Sequence, residues 1–152
     1  TLHTTGPLGG SRAGHHLRFR PALAAGRWLA AQPAVHAAMD VSDGLLLDLA
    51  TLLRASGCRG AELDAAAVPI RTAARVAARG DRTRALHLAL GDGEDHVLLW
   101  AQRPGALAAG GPLSARARRP IGRVLGVPGL FLRHADGRRE RLTLRGFQHA
   151  VG

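Results

Sequence analysis

The segment "HVLLWAQ", residues 96–102, constrains this chain most, because Val97, Leu98, Leu99, Trp100 and Ala101 follow one another without polar alternation. A strand with one wet face alternates apolar and polar residues, so a run this short and apolar on both faces reads as a central strand covered on each side. The fold must therefore have layers above and below a sheet.

The neighbouring segments supply those layers. "TLHTTG" reads as a short strand entering a glycine turn, and Pro21 suits the start of a helix through "PALAAGRWLAAQ", which Pro33 ends. "VHAAMD" reads as a strand. Gly44–Ser56 reads as a helix closed by Gly57, with Leu45, Leu46, Leu49, Leu52 and Leu53 toward the core. On its other side Asp48, Thr51 and Arg54 form a polar stripe at spacing three, which sets Asp48 among solvent-facing residues. "GAELD" is a strand, a helix is expected from about Ile70 to Arg79, and "RTRALHLAL" is a further short helix. "RPGALAAG" is expected as a brief helix and "RPIGRVLG" as a strand. "LFLRHADGRRERLTL" is a hairpin turning at Asp136-Gly137. Strands and helices alternate, but the closing hairpin requires antiparallel pairing. The expected fold class is α+β, a layered α/β/α domain with a mixed sheet, formed by residues 1–152 as a single domain.

Length and composition agree, since 152 residues with 46% apolar content can bury a core. The longest apolar runs are far too short to span a membrane, and no signal peptide is expected at the N-terminus. A lone cysteine, Cys58, fits a reducing, cytoplasmic setting. The net charge of +10 invites a nucleic-acid reading. Every basic residue is arginine, however, and the arginines are scattered without tyrosine platforms, so a solvated surface without a nucleic-acid partner is the better expectation.

Against that basic background, carboxylates concentrate in two places. "MDVSDGLLLDL" sets Asp40, Ser42 and Asp43 between a strand end and a helix start, where backbone N–H groups and the helix dipole favour phosphate. Two carboxylates at that spacing can share Mg²⁺ with phosphate oxygens. Equally, Ser42 or Asp43 can serve as an ordinary helix cap, which leaves Asp40 unexplained. "GDGEDHVLLW" crowds Asp92, Glu94 and Asp95 into four positions; like charges so close need a cation, donors or water around them. A third segment, "TGPLGGSRAG", offers Gly9, Gly10 and Ser11 as a candidate phosphate loop, although a glycine-rich turn is more often only a turn. It lacks the G-K-[ST] ending of a P-loop, and no histidine or cysteine spacing points to zinc.

In this order, "TTGPLGGSRAG", "MDVSDGLLLDLATLLRASGCRGAELD", "ALGDGEDHVLLW", "PIGRV" and "RGFQHA" resemble the C-terminal half of the thiamine-monophosphate kinases, within the aminoimidazole ribonucleotide synthetase superfamily. The resemblance covers essentially the whole chain, and D-x-S-D-G-L with G-E-D-x-x-L-L is its most specific part. It implies transfer of the γ-phosphoryl group of ATP to thiamine phosphate with Mg²⁺. By that similarity Asp40 and Asp43 are expected to bind Mg²⁺, Ser42 to contact the ATP phosphates, Glu94 to contact thiamine phosphate, and Phe147 to lie against the thiamine. Two positions depart from the family pattern: Gly10 stands where an aspartate is usual, and Ala150 where an aromatic often follows the terminal histidine. The resemblance further implies an N-terminal ATP- and Mg²⁺-binding domain, absent from this sequence, and a homodimer in the full enzyme. The remaining readings are another ATP-dependent member of the superfamily and a non-catalytic module for phosphorylated ligands.

Overall fold

A computed structural model of the chain describes residues 1–107 and 110–143. Seven strands form one mixed sheet in the order β2-β4-β1-β5-β3-β6-β7. They are β1 (Leu2–Thr4), β2 (Val35–Asp40), β3 (Gly60–Asp64), β4 (Leu98–Gln102), β5 (Gly122–Leu125), β6 (Gly129–Arg133) and β7 (Arg139–Leu142). Only β3 and β6 pair in parallel among the described strands; the other neighbours are antiparallel, including the β6–β7 hairpin with Gly137 at φ +85° in its turn. The layered α+β expectation holds.

The helices are α1 (Leu23–Ala30), α2 (Leu45–Ala55), α3 (Thr72–Ala77) and α4 (Arg82–Gly91). Residues of α2, α3 and α4 join Leu2, Leu63, Leu99 and Leu132 in the main core on one face of the sheet. On the other face Ala25 and Leu29 of α1 pack with Leu113 and Ala117 against Trp100. β4 thus buries Leu99 in one layer and Trp100 in the other, both fully covered. The double-sided apolar run has the two covers its sequence demands.

Helix α2 packs by its leucine face and ends in the glycine cap its sequence predicts. All five of its expected core leucines are buried, each contributing roughly 1.5–3 kcal/mol. Its C-terminus closes with Gly57 at φ +66°, where Cys58 N–H donates to Leu53 C=O at 2.8 Å and Gly57 N–H to Arg54 C=O at 3.2 Å. Two expected helices differ. The third is shorter than Ile70–Arg79, because Ile70 is drawn into a parallel bridge with Leu8. "RPGALAAG" forms no helix among its described residues: Pro104 and Gly105 make a turn, with Gly105 at φ +67°.

Where β5, β3, β6 and β7 run side by side, arginines cover the face opposite the main core. Glu62, buried on β3, accepts from Arg123 at 2.8 Å and pairs with Arg139 at 2.9 Å; Arg139 also lies 3.7 Å over the Phe131 ring. Arg133 pairs with Asp64 at 2.7 Å. Part of the arginine excess therefore acts as cross-strand cover.

Beneath α1, His3 stacks on Trp100 with centroids 5.0 Å apart and rings inclined by 14°. Its Nδ1 lies 3.2 Å from Ala117 C=O and its Nε2 3.0 Å from the Thr1 hydroxyl, an arrangement a neutral ring satisfies at both nitrogens. Burial lowers the His3 pKa below its ordinary 6.5. The unfolded chain therefore takes up this proton first as pH falls. The stability from the neutral ring is complete above 6.5 and is lost as pH drops toward the lower folded value. His3→Phe should flatten the decline of unfolding free energy below that pH, measured by urea titration at a series of pH values.

Candidate functional site

Sheet topology brings the three acidic or glycine-rich segments to one edge. The loops leaving β1 and β2 and the loop entering β4 all lie there, because β4 runs antiparallel to both strands, with Thr4 opposite Leu99 and Asp40 opposite Leu98. Main-chain bonds then join the loops. Glu94 N–H donates to Ser42 C=O at 2.6 Å and His96 N–H to Val41 C=O at 2.8 Å. A Cβ at Gly93 would stand 2.5 Å from Ser42 C=O, and one at Gly44 would stand 2.8 Å from Gly91 C=O. Only glycine permits such an approach.

The six carboxylates of this edge divide into two sets. Asp95, 1% exposed, accepts from Gly9 N–H at 2.6 Å through one oxygen and from Gly10 N–H at 2.9 Å through the other, with Arg71 Nε 3.7 Å away. Burial raises its pKa, against the lowering effect of the two amides and Arg71. Asp92 is buried beside Arg12 at 3.3 Å, and burial raises its pKa too. Asp48 is 3% exposed, and one of its oxygens accepts from both Ser42 N–H at 2.9 Å and Asp43 N–H at 3.0 Å. Burial is the main cause raising its pKa; the amides oppose it, and the nearby charges of Asp43 and Asp40 add to it.

Asp40, Asp43 and Glu94 form the outward set. Asp40 and Asp43 are exposed, and neither carboxylate has a hydrogen-bond or ion-pair partner among the described residues. Glu94 is half-exposed, with His16 Nδ1 at 3.3 Å, close enough for an ion pair but not aligned as a hydrogen bond. Glu94 and His96 both have positive φ, 59° and 49°, in the left-handed region that side chains rarely adopt. Between them the chain turns Asp95 inward and leaves Glu94 toward solvent. His96 stacks on Phe19 with centroids 4.2 Å apart, beside a cleft of about 340 Å³ that Arg71 also lines.

Several expectations change here. Neither Ser42 nor Asp43 caps α2: the cap position is Gly44, which has no side chain to do so. Asp48 is not part of an exposed stripe with Thr51 and Arg54; it is buried and ties the loop before the helix. The amides of Gly9 and Gly10 are engaged by Asp95, and Ser11 is buried, so this segment is a packed turn whose expected phosphate donors face inward. Phe147 lies outside the described residues. The sequence reading missed Arg12, His16 and Arg71, the basic neighbours of the acidic segment, which come from distant parts of the chain.

An oxygen-rich pair such as Asp40 and Asp43 fits a hard cation, which takes one or two protein carboxylates and completes its shell with phosphate and water. No cluster of three or more metal-ligating side chains occurs among the described residues. No described helix is long and apolar enough to cross a membrane.

The mixed seven-stranded sheet with its helices, together with the structural matches given next, makes this a domain of the aminoimidazole ribonucleotide synthetase-like kind. The chain is, in sequence, a relative of the thiamine-monophosphate kinases. That of Rhodopirellula baltica is 39% identical over 154 residues, 97% of this chain and 47% of the relative; that of Haemophilus influenzae is 37% identical over 89 residues, 59% of this chain and 26% of the relative. The chain thus spans about half the length, or less, of the curated relatives it matches. The solved structure of AaThiL complexed with AMPPCP and TMP superposes with a TM-score of 0.68 at 25% identity, covering 98% of this chain and 50% of that one. Thiamine-monophosphate kinase from Stenotrophomonas maltophilia K279a gives 0.67 at 27%, covering 90% and 49%. Escherichia coli HypE, at 0.65 and 21% identity over 99% of this chain and 51% of that one, shares the fold. No protein-family model matches the chain.

The two inward carboxylates that hold amides differ in a way that mutation can read. Asp95 uses both oxygens, so Asp95→Asn points an NH₂ at one of the two glycine amides and should cost about 1–3 kcal/mol. Gly93→Ala should cost a similar amount, about 1–3 kcal/mol, by forcing the GED turn away from Ser42. Urea denaturation midpoints check both, and wild-type values in either variant would contradict the packing described.

Proposed function

We propose that this chain is the substrate- and Mg-nucleotide-binding half of a thiamine-phosphate kinase. The complete enzyme would transfer the γ-phosphoryl group of ATP to thiamine phosphate, releasing ADP and thiamine diphosphate. The observation that carries the reading is the pair of carboxylates, Asp40 and Asp43, unpartnered among the described residues and on a segment locked by main-chain contact to the turn bearing Glu94. This arrangement occurs in a chain 39% identical to a thiamine-monophosphate kinase. Phosphoryl transfer needs positioning and charge neutralisation far more than a protein nucleophile, and exposed carboxylates that can hold Mg²⁺ meet that need.

In this reading Asp40 and Asp43 bind Mg²⁺ and Ser42 meets the ATP phosphates, while Glu94 and Phe147 meet thiamine phosphate. Bound there, Mg²⁺ would neutralise the charge of the transferring phosphoryl group. His16 Nδ1 lies 3.3 Å from the Glu94 carboxylate, beside the proposed substrate contact. The rest of the ATP and metal site lies in an N-terminal domain supplied in cis or in trans. The full enzyme acts as a cytoplasmic homodimer, with no nucleic-acid or membrane partner. The solved relative named with AMPPCP and TMP supports both the nucleotide and the substrate class.

The purified 152-residue chain should form no thiamine diphosphate from ATP and thiamine phosphate; measurable turnover would overturn the half-site reading. Joined to the N-terminal half of a relative, the chain should support activity. Asp40→Asn or Asp43→Asn should then lower kcat by at least about a hundredfold with the fold intact. Glu94→Ala should raise KM for thiamine phosphate and leave KM for ATP in place, and the opposite pattern would remove Glu94 from the substrate side.

A further inference from the structure

The strongest unassigned feature of this edge is Asp48, a buried carboxylate that the proposed chemistry does not use. It sits in the first turn of α2, beyond Gly44, a cap position with no side chain. Loops that precede helices usually lend a side chain forward to the helix. Here the helix lends one backward: a single Asp48 oxygen takes Ser42 N–H at 2.9 Å and Asp43 N–H at 3.0 Å. Those are consecutive amides of the segment that presents Asp40, Ser42 and Asp43. On its other side Ser42 C=O accepts from Glu94 N–H at 2.6 Å. The peptide groups of the loop are thus fastened from both directions, and its exposed side chains have no other tether among the described residues.

We propose that Asp48 is a positioning residue for the cation site, holding the Ser42 and Asp43 amides so that the Asp40 and Asp43 carboxylates present their oxygens to one divalent ion. This inference rests on the metal-binding reading of Asp40 and Asp43 given above. Asp48 itself is not a ligand: it is 3% exposed, and its accepting oxygen is engaged by two donors. Its role depends on an acceptor atom at that place rather than on its charge. An asparagine oxygen can occupy the same place and take both amides, whereas alanine leaves two N–H groups without a partner.

The test is a titration of the 152-residue chain with Mn²⁺, as a paramagnetic stand-in for Mg²⁺, read by water-proton relaxation. Hydrogen exchange of the Ser42 and Asp43 amides is measured on the same samples. Asp48→Asn should hold Mn²⁺ within about threefold of wild type, since geometry is kept and only the weak attraction of one further negative charge is lost. Asp48→Ala should weaken binding by about tenfold or more and speed exchange of both amides by a comparable factor. Asp40→Asn should weaken binding without changing that exchange.

If Asp48→Asn weakens Mn²⁺ as much as Asp40→Asn does, Asp48 acts as a charge or a ligand, and the positioning role is wrong. If Asp48→Ala folds and exchanges faster but binds Mn²⁺ like wild type, the contact is only structural, and the proposal again fails. Should Asp48→Ala not fold, the Asp48→Asn result decides alone. Absence of Mn²⁺ binding by the wild-type chain, both alone and joined to the N-terminal half of a relative, overturns the metal reading and this inference with it; binding by wild type with equal affinity in a folded Asp48→Ala removes only the inference.

Discussion

The carboxylate of Asp95 holds the amides of Gly9 and Gly10 at 2.6 and 2.9 Å in the dry interior of the sheet edge, and the neighbouring geometry follows from that anchor. An ion buried this deeply is tolerable only when donors surround it. The loop after β1 must therefore fold back over the turn before β4, and the turn must aim Asp95 inward. Positive φ at the residues on either side, Glu94 and His96, is the backbone consequence. Their strain is held by the hydrogen bonds of the same two residues to the loop after β2, so three segments distant in sequence become one rigid edge.

A basic chain with eleven carboxylates places six of them here, and the arrangement eases their mutual repulsion by dividing their tasks. Asp95, Asp92 and Asp48 turn inward to amides or to Arg12. Asp40, Asp43 and Glu94 remain outside, where water or a cation can meet them. The inward set builds the shape and the outward set is left for ligands. Crowding of acids in sequence is thus a poor guide to which of them touches a ligand, because burial decides it and burial is a tertiary property.

That distinction marks how far the sequence could be read. Strand β4 was legible because a run apolar on both faces has only one comfortable place in a layered fold, and the Asp136-Gly137 hairpin and the leucine face of α2 were legible from local periodicity and turn chemistry. The two acidic segments stood out for their density of charge. What could not be read was direction. Helical spacing grouped Asp48 with Thr51 and Arg54, yet its carboxylate bends back to the amides preceding the helix, where Gly44 leaves no competing cap. The sole local hint was that missing cap. Gly9 and Gly10 invited a phosphate because glycine permits close approach; the anion that approaches is an aspartate from the same chain, about eighty-five residues away. Arg12, His16 and Arg71 gave no local signal, because their partners are set by the chain crossing over itself.

The glycine contact between the two acidic loops has a consequence for how such an edge can vary. With Ser42 C=O pressed where a Gly93 Cβ would be, and Gly91 C=O where a Gly44 Cβ would be, no side chain lies between the loops to act as a spacer. The span from the Asp40–Asp43 pair to Glu94 is therefore a main-chain dimension, as fixed as the separation of two hydrogen-bonded strands. Substitutions can alter what the outward side chains grip, but they cannot lengthen the ruler on which those side chains are mounted.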